Sequence, residues 1–152
     1  MKNKSGFTLS ELLMVIVILG VLSAIALPRF GSQKEKAYVA EAVGMLSAIR
    51  QLEESARLDN GVYTAITTAT EPPTTGENTL WTGLGMDNPN ISTMPYWRYT
   101  IATSGTAPNL VCTITATRQN YKWSATAAFA SQTIILTNAG VYSGTHPNRP
   151  QN

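Results

Sequence analysis

Only a few side chains in this sequence are of a kind that does chemistry, and they lie far apart. There is one histidine, His146, one cysteine, Cys112, and nine carboxylates, none of which follows Asp87. A Ser-His-Asp or Cys-His arrangement needs an acid or a thiol beside the imidazole, and the sequence places neither near His146. Zinc-ligand spacing, a phosphate-cradling glycine loop and paired glycosidase acids are missing too. No catalytic residue, metal ligand or cofactor is expected, and the chain reads as non-enzymatic. Cys112 cannot close an intrachain disulfide; in LVCTITA it alternates with Leu110, Ile114 and Ala116 on one strand face, as a small core residue does. The charge that asks for a chemical explanation is Glu11, at the edge of the apolar run in GFTLSELLMVIVILGVLSAIALP. A carboxylate in a membrane helix costs about 2.5–3.5 kcal/mol and is by default functional.

From Leu12 to Leu27 every residue is apolar except Gly20 and Ser23, and no charge follows until Arg29. As helix this run reaches roughly 24 Å, short of a hydrocarbon core of about 30 Å; starting at Phe7 brings it to about 31 Å and draws Glu11 to the membrane. One reading is an ordinary secretory signal, with basic MKNK, an apolar stretch and Ala24-Ile25-Ala26 as cleavage site. It puts the mature N-terminus at Leu27 and gives Glu11 no role. The other reading cuts after Gly6, removes Lys2 and Lys4, keeps the helix and creates an α-amino group on Phe7, one turn from Glu11. A charge that is costly alone becomes tolerable when an opposite charge stands at the same depth.

The stretch Gly6-Phe7-Thr8-Leu9-Ser10-Glu11-Leu12-Leu13, followed by an apolar helix and Pro28, resembles the prepilin cleavage and methylation signature of type IV pilins and type II secretion pseudopilins. The resemblance implies that a prepilin peptidase cuts between Gly6 and Phe7 on the cytoplasmic side and methylates Phe7. It also implies that Glu11 docks against the N-terminal amine of a neighbouring subunit during assembly. Ser10 stands where the family usually has an aliphatic residue. The implied partners are copies of the same chain, in a homopolymer filament, together with an inner-membrane assembly platform. The implied locations are the inner membrane for the precursor and the periplasm or cell exterior for the filament. Gly20 and Pro28 bracket the part of the helix most easily bent, and the resemblance adds loss of helicity there on assembly.

Beyond Pro28 the positions Tyr38, Ala42, Met45, Ile49, Leu52 and Ala56 recur at steps of four and three, the stripe of an amphipathic helix, and Asp59-Asn60-Gly61 supplies its stop. One helix from Phe7 to Asp59 would reach roughly 80 Å, more than a domain this small can cover. Its N-terminal half must therefore be buried in a membrane and then against copies of itself. Thr, Pro and Gly dominate from Val62 to Pro95, which reads as an irregular connection; Asn90-Ile91-Ser92 within it fits the N-glycosylation pattern. Strands are expected at Tyr96–Thr103, Asn109–Thr117, Lys122–Phe129, Ile134–Leu136 and Val141-Tyr142. The plan is thus a leader at 1–6, a hydrophobic transmembrane and polymerisation helix at 7–28, an amphipathic helix at 29–60, a loop at 61–95, an antiparallel sheet region at 96–145 and a tail at 146–152. This is an α+β fold, with the C-terminal half of a long helix packed on a small sheet.

Charged residues make up 13% of the chain and the net charge is +2, too little to imply a nucleic-acid partner by composition. After Asp87 the charges are Arg98, Arg118, Lys122 and Arg149, interleaved with Tyr96, Trp97, Tyr99, Tyr121 and Trp123. Basic and aromatic residues together can bind DNA, so a DNA-uptake pilin stands beside three other readings: a pilus subunit, a type II secretion major pseudopilin and a secreted binding protein with an ordinary signal peptide. The acid-free C-terminal region lacks the acidic loop through which major pseudopilins commonly bind calcium, and a single cysteine cannot make the C-terminal disulfide frequent in type IV pilins.

Overall fold

The computed structural model describes residues 6–69, 72–91, 96–119 and 129–152, with the backbone alone for 24–32. They form two compact units, Met1–Glu35 and Lys36–Asn152, and helix α1, Leu9–Asn60, contributes to both.

In the second unit the buried positions of α1 are Val39, Ala42, Leu46, Ile49 and Glu53, spaced by three and four. Ala42 and Ile49 belong to the stripe expected from sequence, whereas Tyr38, Met45, Leu52 and Ala56 flank the core as partly buried residues. The centre of the face is shifted because it includes a carboxylate, Glu53, which an apolar-only pattern passes over. At the end of α1 the chain turns through Gly61, whose φ of 76° suits glycine and whose N–H reaches the Arg57 carbonyl at 2.8 Å.

Among the described residues four antiparallel strands make one sheet in the order β1 (Trp97–Ser104), β2 (Val111–Arg118), β3 (Thr133–Thr137) and β4 (Tyr142–Ser143). The register sets Ile101 opposite Ile114 and Ile114 opposite Leu136. Because strand side chains alternate, Trp97, Tyr99, Ile101, Cys112, Ile114, Ala116, Ile134 and Leu136 point to one face and close a single core with α1. The result is an α+β fold, a long N-terminal helix packed on a four-stranded antiparallel sheet. The β1–β2 turn demands a glycine at Gly105: φ is 85°, and an added Cβ would run into the Asn109 carbonyl.

The connection expected to be irregular holds a second helix, α2, Thr75–Gly83. A capping box opens it: Thr74 accepts from the Glu77 amide at 3.2 Å, and the Glu77 carboxylate accepts the Thr74 amide. This Thr-x-x-Glu spacing was visible in TTGE, and the helix it starts buries Trp81 completely. The strand expected at Lys122–Phe129 lies outside the described residues apart from Phe129. Residues 146–152, expected as a tail, are tied to the sheet at both ends, with Pro147, Asn148, Gln151 and Asn152 exposed. His146 is fully buried, its N–H donates to the Thr133 carbonyl at 3.0 Å, and Asn152 hydrogen-bonds Tyr142.

Both edges of the sheet carry an asparagine. The Asn90 carboxamide accepts the Tyr99 N–H at 2.8 Å and donates to the Tyr99 carbonyl at 2.9 Å, filling the outer edge of β1 as a strand would. Ile66 continues that edge through two backbone bonds to Ile101. Beyond β4, the Asn152 carboxamide does the same for Tyr142, accepting its N–H at 2.8 Å and donating to its carbonyl at 2.7 Å. Asn90 is 1% exposed with both ends of its amide engaged, so it is not a free acceptor for sugar; Ser92 of the same sequon lies outside the described residues.

Candidate processing and assembly site

Gly6, Phe7 and Thr8 precede the helix and are exposed, Phe7 at 83%. The bond between Gly6 and Phe7 thus lies in non-helical backbone open to solvent, the form in which a peptide can enter a peptidase cleft. Leu9 begins α1 because Thr8 caps it. The Thr8 Oγ1 accepts the Glu11 N–H at 3.3 Å, and Glu11 Oε2 accepts the Thr8 N–H at 2.9 Å and its hydroxyl at 2.7 Å. This second Thr-x-x-Glu box is a local signal in TLSE, independent of the Phe7 amine. The carboxylate also sits in the first turn, where the helix dipole favours negative charge.

The helix that follows has no covered face. Every large apolar side chain from Leu12 to Leu22 is at least 47% exposed. A helix that is apolar all round is stable only within lipid or among other helices. Among the described residues, no helix is long and apolar enough to cross a membrane, and the run's last residues, 24–27, fall where the backbone alone is described. Helix α1 runs on through both Gly20 and Pro28. A Cβ built on Gly20 would meet nothing within 4 Å among the described residues.

The remaining reactive groups lie apart from this end. Cys112 is buried and free, and burial, aided by the charges of Glu53 and Glu54, pushes its thiol up to about 12, which keeps it from acting as a nucleophile at neutral pH. His146 stacks on Phe129 with ring centroids 5.2 Å apart and lies tilted against Trp97 at 5.5 Å, its Nδ1 accepting the Asn148 N–H at 3.3 Å. Among the described residues no three His, Cys, Asp or Glu side chains gather to hold a metal.

Two of the four basic residues proposed from sequence to meet DNA are inside. Arg118 is 2% exposed; its guanidinium stacks 4.8 Å from the Tyr38 ring centroid and 5.4 Å from that of Tyr96, and donates to the Tyr96 and Gln119 carbonyls. Arg98 is 8% exposed and donates to the Ala69 carbonyl, Arg149 is half-buried, and Lys122 lies outside the described residues. Strand alternation explains the Arg118 placement, since it continues the inward series Cys112, Ile114, Ala116. Neutralising Arg118 therefore tests folding: Arg118→Leu is expected to cost about 2 kcal/mol in desolvated cation–π and carbonyl contacts, read as a lowered melting temperature.

Residues 1–27 match the family model described as the prokaryotic N-terminal methylation motif. The chain is 42% identical over 59 residues to a fimbrial protein of Pseudomonas aeruginosa, covering 39% of this chain and 38% of the relative. It is 40% identical over 62 residues to the type II secretion system core protein G of Pseudomonas aeruginosa, covering 41% and 44%, and 40% identical over 63 residues to that of Vibrio cholerae, covering 41% and 43%. The chain spans about two fifths of the length of these curated relatives. No solved structure matches it. By these matches the chain carries the N-terminal methylation motif and has fimbrial proteins and type II secretion core protein G among its homologues.

Proposed function

We propose that this chain is a structural subunit of a type IV pilus-family filament, made as an inner-membrane precursor, cut after Gly6 by a prepilin peptidase, N-methylated on Phe7 and assembled by an inner-membrane platform through its N-terminal helix. The observation that carries this reading is the uncovered apolar helix directly behind an exposed, capped Gly6-Phe7-Thr8 segment within a matched methylation motif. Such a helix has two environments that suit it, lipid before assembly and the helices of sister subunits afterwards. The bulk of the second unit, with its own core, would then face outward.

Mass spectrometry of the mature protein tests the processing. The expected N-terminus is Phe7 carrying one methyl group; a mature chain beginning at Leu27 would return the protein to the ordinary secretory reading. A second reading, the major pseudopilin of a secretion system, is favoured by the identity to core protein G. Cell fractionation separates the two, because a pilus is sheared from the cell surface into the medium and a secretion pseudopilus stays in the periplasm.

A further inference from the structure

Asn60 is the last residue of α1, and it is the one asparagine of the chain that precedes a glycine. An asparagine side-chain carbon stands within reach of the backbone nitrogen that follows it, and a side chain on the following residue crowds the cyclic imide their union would form. At Gly61 nothing crowds it: there is no side chain, and a Cβ built there would meet nothing within 4 Å among the described residues. Both residues are exposed to water, and among the described residues the Asn60 carboxamide has no hydrogen-bond partner. The other asparagines differ on one count or the other. The carboxamides of Asn78, Asn88, Asn90, Asn138 and Asn152 are bound, and Asn109 and Asn148 are followed by the bulky Leu110 and Arg149. What restrains Asn60 is the helix itself. The Gly61 N–H donates to the Arg57 carbonyl at 2.8 Å, the bond that closes the last turn of α1, and an amide nitrogen attacks only after it has given up that proton.

We propose that Asn60 is a site of spontaneous deamidation, governed by the last turn of α1. When the turn frays, hydroxide takes the Gly61 amide proton, the freed nitrogen bonds to Asn60 Cγ, and ammonia leaves with a proton returned from water, giving a succinimide. Water then opens the ring at one carbonyl or the other, to aspartate or to isoaspartate. The net change is one water consumed and one ammonia released, with no oxidant, reductant or enzyme. Either product sets a negative charge in the last turn, beside Asp59 and against the carbonyl end of the helix dipole. Isoaspartate also routes the backbone through the former side chain, which lengthens it by a methylene and draws the Gly61 N–H off the Arg57 carbonyl. The modification thus removes the bond that restrains it, and the end of α1 is loosened in one direction only.

The test incubates the full wild-type chain in detergent micelles in warm, mildly alkaline buffer, beside a sample unfolded in urea. Peptide mass spectrometry follows amide-to-acid conversion at each asparagine, and fragmentation separates aspartate from isoaspartate. Asn60 is expected to convert ahead of every other asparagine in both samples, and about tenfold or more slowly in the folded chain, because fraying of the helix end must come first. Hydrogen exchange of the folded chain is expected to show a protected Gly61 amide when fresh and an unprotected one in the fraction that carries isoaspartate. Conversion at Asn60 no faster than at Asn109 or Asn148 would overturn the site. Equal rates in the folded and unfolded samples would overturn its control by the end of α1.

Discussion

The Glu11→Ala chain is expected to insert into the membrane and be cut after Gly6 as efficiently as wild type, yet to be almost absent from filaments. On the assembly proposed above, removing the carboxylate would leave the Phe7 amine of a neighbouring subunit unpaired among apolar helices, and breaking such a pair costs about 3–5 kcal/mol, more than a hundredfold in the incorporation equilibrium. The structure supplies the control that makes this readable. Glu11 also closes the Thr8 capping box, so alanine removes a helix cap worth about 1 kcal/mol along with the charge. Glutamine can accept the Thr8 N–H as glutamate does and lacks only the charge. Sheared-filament yield should therefore fall for Glu11→Gln nearly as far as for Glu11→Ala; wild-type yield from Glu11→Gln would sink the amine pairing and leave capping as the role of this residue.

The second large effect concerns Asn90. Asn90→Ala strips both partners from the Tyr99 backbone in a place sealed from water, and an unsatisfied buried amide or carbonyl costs about 1–3 kcal/mol. The expected loss is about 3 kcal/mol, roughly 10 °C in melting temperature for a chain of this size. Asn90→Asp should fare no better, since a carboxylate keeps an acceptor for the Tyr99 N–H but sets negative charge against the Tyr99 carbonyl. Intact protein of unglycosylated mass at this position is the companion result, because the carboxamide nitrogen that would carry a sugar is already bound. An Asn90→Ala melt superimposing on wild type would show that water replaces the carboxamide without loss.

What the sequence disclosed and what it hid divide along a physical line. The β strands were legible because alternation at Tyr99, Ile101, Cys112, Ile114, Ile134 and Leu136 is a local property with a period of two. The end of α1 was legible for the same reason, in a glycine whose backbone freedom is local. The inward charges were hidden. Glu53 and Arg118 are types that are almost never buried unless partnered, and their partners, the Thr64 amide and the Tyr38–Tyr96 stack, come from segments distant in sequence. The packing of His146 was hidden likewise, since Trp97 lies far along the chain. The two capping boxes are a different failure. Thr8–Glu11 and Thr74–Glu77 are local signals and could have been read, one as the true start of α1 and the other as a helix in a stretch taken for loop.

The carboxamides on the two outer strands bear on how copies of this chain can be crowded together. Packed side by side at high local concentration, identical subunits with bare strand margins would stitch their sheets into a continuous ladder, a form of growth that is hard to reverse. Asn90 and Asn152 occupy the hydrogen-bonding groups of Tyr99 and Tyr142 on which such stitching would begin. In the filament proposed above, polymerisation would thereby be directed away from the sheets and toward the bare apolar helix, whose contacts carry no backbone ladder.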